Sequence, residues 1–206
     1  MKKIILSAIA ISTFGFASAQ ETESTAAKGF NNGDAVITGS VGFSSQKTGD
    51  MKSNSFTLTP AVGFFVSDNI MIGGQLGYTS TTEDQDIFND GDLYEVKTNA
   101  FEVGAFGRYY ATPKSDFSLF AELGIAYATA KQEVESFEGE SKVNGFGIGF
   151  TPGISYFIGS NWAIEATIGE LSYTSFKPDN DGAESTDTFT LNLDLSNITF
   201  GVLYKF

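Results

Sequence analysis

The sequence predicts an all-β chain, an eight-stranded antiparallel up-and-down β-barrel that crosses a membrane. Three observations carry this expectation. Eight segments alternate large apolar with small or polar residues at a period of two, the spacing of a strand with two unlike faces. The breaks between them alternate between tight turns and longer polar stretches, as an up-and-down meander requires. The large face carries almost no charge, whereas the small face is glycine, threonine and serine with a few charges, the reverse of a water-soluble barrel.

The elements follow in order. Lys2 and Lys3 precede an apolar stretch from Ile4 to Phe16, and Ala17-Ser18-Ala19 is a small-residue cleavage site, so residues 1–19 read as an export signal. The apolar run falls short of the roughly 20 residues of a spanning helix. Residues 20–35 (QETESTAAKGFNNGDA) are polar and small and are expected to form a flexible leader. From Val36 the barrel domain, 36–206, is expected to place strands near 36–47, 54–66, 69–80, 95–110, 117–130, 142–158, 161–174 and 189–206. Ser67-Asp68-Asn69, Ala111 to Asp116 and Gly159-Ser160-Asn161 are the tight turns. The other four breaks, among them TTEDQDIFNDGDLYE, KQEVESFEGESK and SFKPDNDGAESTD, are expected to be long acidic loops at the opposite end.

One hairpin plan recurs. TPAVGFFVSDNIMIGGQLG (59–77) and TPGISYFIGSNWAIEATIG (151–169) share Thr-Pro, the apolar alternation, the Asn after the turn and the last Gly. Repetition of this kind suits a closed array of similar strands. Pro60 and Pro152 each remove a ladder donor, so a bulge is expected beside them. The large residues change from odd positions (Leu191, Leu193, Leu195) to even ones from Ile198, which predicts a further bulge at Ser196-Asn197.

The faces decide what surrounds the barrel. One holds Val41, Phe43, Phe56, Leu58, Val62, Ile72, Leu76, Phe101, Val103, Leu123, Ile125, Phe146, Ile148 and Ile164; the other holds Thr38, Ser40, Thr57, Thr59, Gly63, Gln75, Gly104, Ala126 and Gly147. A soluble exterior carries roughly 25–35% charged residues, and neither face approaches that. An eight-stranded bore has room for slim side chains and little else. An Arg or Lys on the lipid face at the bilayer midplane costs about 2–4 kcal/mol, which accounts for charge being confined to the small face. The alternative is a secreted soluble β-barrel with the bulky residues inside around an apolar ligand.

Composition excludes several functions. Acidic residues number 25 against 12 basic, a net charge of −13 that deepens by two if Lys2 and Lys3 are removed, so nucleic acid is not an expected partner. The chain has no Cys, hence no disulfide, and no His, hence no Ser-His-Asp or Cys-His catalysis and no usual zinc set. No enzyme activity, cofactor or metal is expected. The loop acids (Glu83, Asp84, Asp86, Asp90, Asp92, Glu133, Glu135, Glu138, Glu140, Asp179, Asp181) do not fit an EF-hand frame, since Lys177 and Thr188 stand where ligands belong around Asp179-x-Asp181-Gly182. They read as a solvated acidic rim.

The expected lumen polar network is Glu102, Arg108, Glu122, Glu165 and Lys205. Opposite charges in a narrow bore should pair, Arg108 with Glu122 and Lys205 near Glu165, because an unpaired buried charge is costly. The set reads as a polar plug; the other reading is a narrow cation-preferring pore, since three carboxylates outnumber two bases.

The chain closes on NITFGVLYKF, with Phe206 last and Tyr204, Val202 and Phe200 at two-residue steps before it. This resembles the C-terminal signature of bacterial outer-membrane β-barrels, and with the export signal and eight strands it points to the small outer-membrane β-barrel domain family, similar in architecture to OmpA and OmpX barrels. The resemblance implies an integral outer-membrane protein with both termini and the leader on the periplasmic side. It implies outer-membrane lipid and the barrel assembly machinery as partners, with Phe200, Val202, Tyr204 and Phe206 as the assembly signal. It also implies a structural or cell-surface role, with an unidentified outside partner for the acidic loops. The cell-wall anchoring of full-length OmpA-type proteins is not carried over, because the expected domains include no periplasmic one.

Overall fold

A computed structural model describes residues 28–86, 92–135, 139–180, 182–192 and 198–206. Among the described residues ten strand segments occur: β1 (Ala35–Thr48), β2 (Met51–Phe65), β3 (Ile70–Gln85), β4 (Tyr94–Tyr110), β5 (Phe117–Val134), β6 (Glu140–Phe157), β7 (Trp162–Ile168), β8 (Glu170–Pro178), β9 (Thr186–Asn192) and β10 (Ile198–Lys205). β7 with β8, and β9 with β10, each make one wall strand, so the barrel has eight. Every ladder is antiparallel, sequential strands pair, and β1 meets β10 from Val36↔Lys205 to Ser40↔Gly201 to close the circle.

The break within the seventh wall strand is a bulge. β6 pairs β7 with Gly153 opposite Thr167, but pairs β8 with Phe150 opposite Leu171, so three residues of one strand face two of the other. Gly169, in the middle, adopts φ +75°, a left-handed conformation that glycine takes without a Cβ penalty. Outward residues are therefore even in β7 (Trp162, Ile164) and odd in β8 (Leu171, Tyr173). The expected bulge at Pro152 thus lies on the strand opposite it. At Pro60 no register shift occurs: Leu58↔Tyr78 and Ala61↔Gln75 keep one register, and the ladder simply omits the pairs between them. The expected bulge at Ser196-Asn197 lies outside the described residues, although outward residues do change from odd (Phe189, Leu191) to even (Ile198, Phe200) across that stretch.

The two similar hairpins use their shared asparagines alike. Asn69 donates its side-chain amide to the Tyr110 carbonyl at 2.7 Å, and Asn161 donates to the Lys205 carbonyl at 2.7 Å. Each satisfies the last carbonyl of a neighbouring strand at the tight-turn end. The opposite end differs from the expected long loops. β1 and β2 are joined by Gly49-Asp50 alone, with Thr48 facing Met51. Much of the acidic sequence lies within the ladders, as in Glu83↔Val96, Asp84↔Glu95 and Lys97↔Glu133. Threonine and alternating charge suit a two-sided wet ribbon, so the hairpins continue past the apolar belt. Asp90, Glu138 and Asp181 lie outside the described residues.

The exterior is apolar. Thirty-six large hydrophobic side chains are exposed among the described residues, Val41, Leu76 and Ile125 each by 60% or more. At on the order of 100 Å² each and ~25 cal/mol per Å², leaving this belt in water would cost many tens of kcal/mol. Soluble monomers expose patches of a few hundred Å² at most. Lipid is the solvent that removes the cost, and closure leaves the wall strands paired around the belt.

The bore is not slim throughout. At the tight-turn end Phe65, Phe106, Tyr110, Phe120, Phe157, Met71 and Leu203 point inward and are buried. Tyr110 is one of these, whereas Tyr109 beside it faces outward.

Candidate functional site: the plugged bore

Strand alternation fixes the site. Phe106, Arg108 and Tyr110 are even residues of β4 and enter the bore together, and register sets Glu122 of β5 directly opposite Arg108. The Arg108 guanidinium donates from Nε and one terminal nitrogen to Glu122 Oε2, at 2.9 and 2.7 Å. Its other terminal nitrogen donates to Glu165 Oε2 at 2.7 Å and to the Tyr110 hydroxyl at 3.0 Å. Tyr110 donates to Glu165 Oε1 at 3.0 Å, and Thr38 of β1 donates to Glu165 Oε2 at 3.3 Å. The guanidinium also lies 4.2 Å from the Phe120 ring centre. β4 and β7 are not neighbours in the wall, so the network crosses the bore.

The five expected lumen residues divide into three groups. Arg108, Glu122 and Glu165 form this cluster. Lys205 donates to the Gly29 carbonyl at 2.7 Å and stands 3.8 Å from Asp34, so its ammonium faces the segment before β1. Glu102 lies further along β4 and accepts the Gln75 amide at 2.8 Å. Beside the cluster the bore opens into two cavities that share Gln75 and Glu122. One, of about 150 Å³, is lined by Thr38, Ser40, Thr199 and Gly201; the other, of about 220 Å³, by Glu102, Glu170, Ser172 and Thr174.

Thr38 and Gln75 were expected on the bore face but not in the polar network, and sequence reasoning missed Tyr110, Glu170 and above all Phe30 as members of the site. Parity with Arg108 was an available signal for Tyr110. Phe30 was the only large aromatic in a polar segment. Its ring is fully buried and lies 4.5 Å from Phe65, 4.6 Å from Tyr110 and 4.8 Å from Phe157, which come from β2, β4 and β6. The described end of the expected leader, from Lys28, is therefore tied to the barrel mouth. Phe30 N–H donates to the Pro113 carbonyl at 2.7 Å, Gly33 N–H to the Phe65 carbonyl at 2.9 Å and Asn32 N–H to the Asp68 carboxylate at 2.9 Å. Gly29 turns the chain inward at φ +97°, where a Cβ would lie 2.5 Å from the Pro113 carbonyl oxygen. At the rim the Asn32 N–H and the Lys114 ammonium hold the Asp68 carboxyl below its ordinary range, and a hydrogen bond to Asp116 raises Lys28.

Of the C-terminal residues, Phe200, Val202 and Phe206 face outward, and Tyr204 packs between Trp162 and Phe206 with ring centres at 4.8 and 5.0 Å. Among the described residues no group of three or more His, Cys, Asp or Glu is placed to hold a metal ion.

Solved structures share the architecture. OprG, an outer membrane protein from Pseudomonas aeruginosa, is 18% identical with a TM-score of 0.55, covering 86% of this chain and 98% of its own. A major outer membrane protein from Thermus thermophilus is 9% identical with a TM-score of 0.50, covering 84% and 99%. No curated protein matches the chain. The outer membrane protein beta-barrel domain profile matches residues 7–206, nearly the whole chain. With its lipid-facing apolar exterior and closed wall, the chain belongs to the outer membrane protein beta-barrel domain family and resides in the bacterial outer membrane.

Proposed function

We propose that this barrel is a structural, surface-presenting protein whose bore is closed to solutes, and that it is not an enzyme. The observation that carries this is the filled cross-section at the tight-turn end: Phe30 sits among Phe65, Tyr110 and Phe157, beside an ion cluster that ties β4 to β5 and β7. The hairpin ribbons are then the working surface, and an outside partner would meet their acidic and threonine-rich edges. Phe200, Val202, Tyr204 and Phe206 act as the assembly signal, an apolar row on the strand that closes the barrel in which Phe200, Val202 and Phe206 are exposed. A soluble carrier finds no support, since the bulky side chains ring the exterior and the interior cavities are lined largely by carboxylates, hydroxyls, glycine, Gln75 and Arg108.

A second reading, a narrow cation-preferring pore, draws on one observation: Glu102, Glu122 and Glu170 line the wider cavity together. Reconstitution into planar bilayers separates the two. The closed reading expects no conductance above lipid leak, and steady cation-selective current from the unaltered protein would replace it with the pore.

A further inference from the structure

We propose that residues 28–34 are a removable cork, and that the barrel behind it is a latent route for small cations. This rests on the closed-barrel reading and adds which group does the closing.

Phe30 differs from the other rings around it. Phe65, Tyr110 and Phe157 belong to wall strands and are held by ladder pairs to Met71, Phe120 and Ala163. Phe30 belongs to none. Its segment is held by hydrogen bonds to the mouth, at Pro113, Phe65 and Asp68, by the Lys28–Asp116 ion pair at 2.9 Å, and by Lys205 reaching the Gly29 carbonyl. Its departure breaks no pairing between the ten strands and costs only the short extension of the β1–β2 ladder, where Phe65 N–H donates to the Asp34 carbonyl at 2.9 Å and Gly33 N–H to the Phe65 carbonyl. Three wall rings from alternate strands would then surround the space it vacates.

The ion cluster is a poorer seal. Arg108 reaches across to Glu165, but a polar cavity lies beside it, lined by Thr38, Thr199 and Gly201, and shares Gln75 and Glu122 with the cavity that holds Glu102 and Glu170. Water and a small cation have carboxylates and hydroxyls along that side. The apolar cross-section at Phe30 offers them nothing. The charge of the cavity walls selects the solute: Arg108 lines the smaller cavity beside Glu122 and Glu165, while Glu102 and Glu170 add carboxylates to the larger one, so carboxylates outnumber the one guanidinium, cations pass and anions are disfavoured.

The test uses the absence of cysteine. Ala163→Cys places one thiol in a chain that has none, at a fully buried position directly opposite Phe157. The folded protein in detergent is labelled with a cationic and an anionic methanethiosulfonate of similar size, with and without Phe30→Ala, and the same pair is examined in planar bilayers. In the native background labelling is slow and no current flows. With Phe30→Ala, labelling by the cationic reagent accelerates roughly a hundredfold, as loss of a large buried ring favours local opening, and outpaces the anionic reagent. Cation-selective current accompanies it.

Slow labelling and no current in both backgrounds would overturn the cork while leaving the closed barrel intact. Fast labelling and current already present without Phe30→Ala would overturn the closed reading itself. If Phe30→Ala loses its heat-modifiable gel mobility, and so has not folded, the exposed double variant Lys28→Ala/Lys114→Ala carries the test. It releases only rim contacts and should quicken labelling by about threefold, in keeping with weak surface pairs. An unchanged rate there overturns the cork as well.

Discussion

Replacing Arg108 by methionine tests whether the bore is dry. Methionine keeps an unbranched apolar stem against Phe106 and Phe120 but removes the charge. Glu122 and Glu165, 21% and 6% exposed as side chains, then lose the cation that holds both. Removing one partner of a buried ion pair costs about 3–5 kcal/mol, because the other charge remains buried without compensation, whereas a solvated pair is worth about 0–1 kcal/mol. The depth of Glu165 and the multiple hydrogen bonds place R108M in the first range, with Glu122's partial exposure holding the loss toward its lower half. Adding Glu165→Gln to R108M should restore roughly half of the loss, since the more buried carboxylate is the more expensive one to strand. Urea titration of the barrel in lipid vesicles measures this, read by the single tryptophan, Trp162, and by heat-modifiable mobility. A loss below about 1 kcal/mol, with no recovery on adding Glu165→Gln, would mean that water already solvates the cluster, and the plugged bore would have to be abandoned.

Other changes probe the remaining surfaces. Leu123→Arg, on the lipid side and paired with Phe150, should cost about 2–4 kcal/mol, while Ser45→Arg near the ribbon end of β1 should cost about 0–1; equal costs would contradict the assigned belt. Asp68, held below the usual carboxylate range, contributes stability that is present above its unfolded pKa and lost as pH falls through the folded value. The gap in urea midpoint between the native protein and Asp68→Asn should therefore be steady at neutral pH and close on acidification; a gap independent of pH would remove Asp68 from the rim contacts. Phe206→Ala should lower the amount reaching the membrane in cells yet leave folding in detergent nearly unchanged, since Phe206 is 62% exposed and lies beyond the last ladder pair. Equal membrane yield would show that the terminal ring is not read during assembly.

Much of this was legible because a barrel wall makes each strand declare two faces. Val41, Leu76 and Ile125 could only lie outside once Thr57, Gly104 and Ala126 were seen to be too small and too uncharged for a soluble exterior. The Arg108–Glu122 pair followed from the turn between their strands, which sets register. Glu165 was harder: its partner Arg108 sits across the bore, and contacts between strands that are not neighbours leave no mark in local spacing. Gly169 hid a change of parity, since one inserted residue in a strand with glycine and alanine nearby alters no obvious pattern. Phe30 was illegible for another reason. A leader has no periodicity, so a single apolar residue within it carries no direction, and only the filled aromatic end of the barrel gives it a place. The inward Phe65, Phe106, Phe120 and Phe157 broke the rule of a slim bore near the tight turns, and that break was the trace of a plug.

On the proposed surface-presenting role, with the ribbons outside, the two-residue joint at Gly49-Asp50 and strands as long as 18 residues have a consequence for what the cell shows its surroundings. Such a strand is about 60 Å long at ~3.3 Å per residue, and even steeply inclined it overshoots an apolar band about 25 Å tall by many ångströms. The part outside is therefore a set of stiff hydrogen-bonded posts. Proteases that demand an extended, unpaired backbone would find little to grip until a post frays. A foreign epitope grafted at the Gly49-Asp50 tip would stand at a fixed height and angle, clear of the headgroup layer.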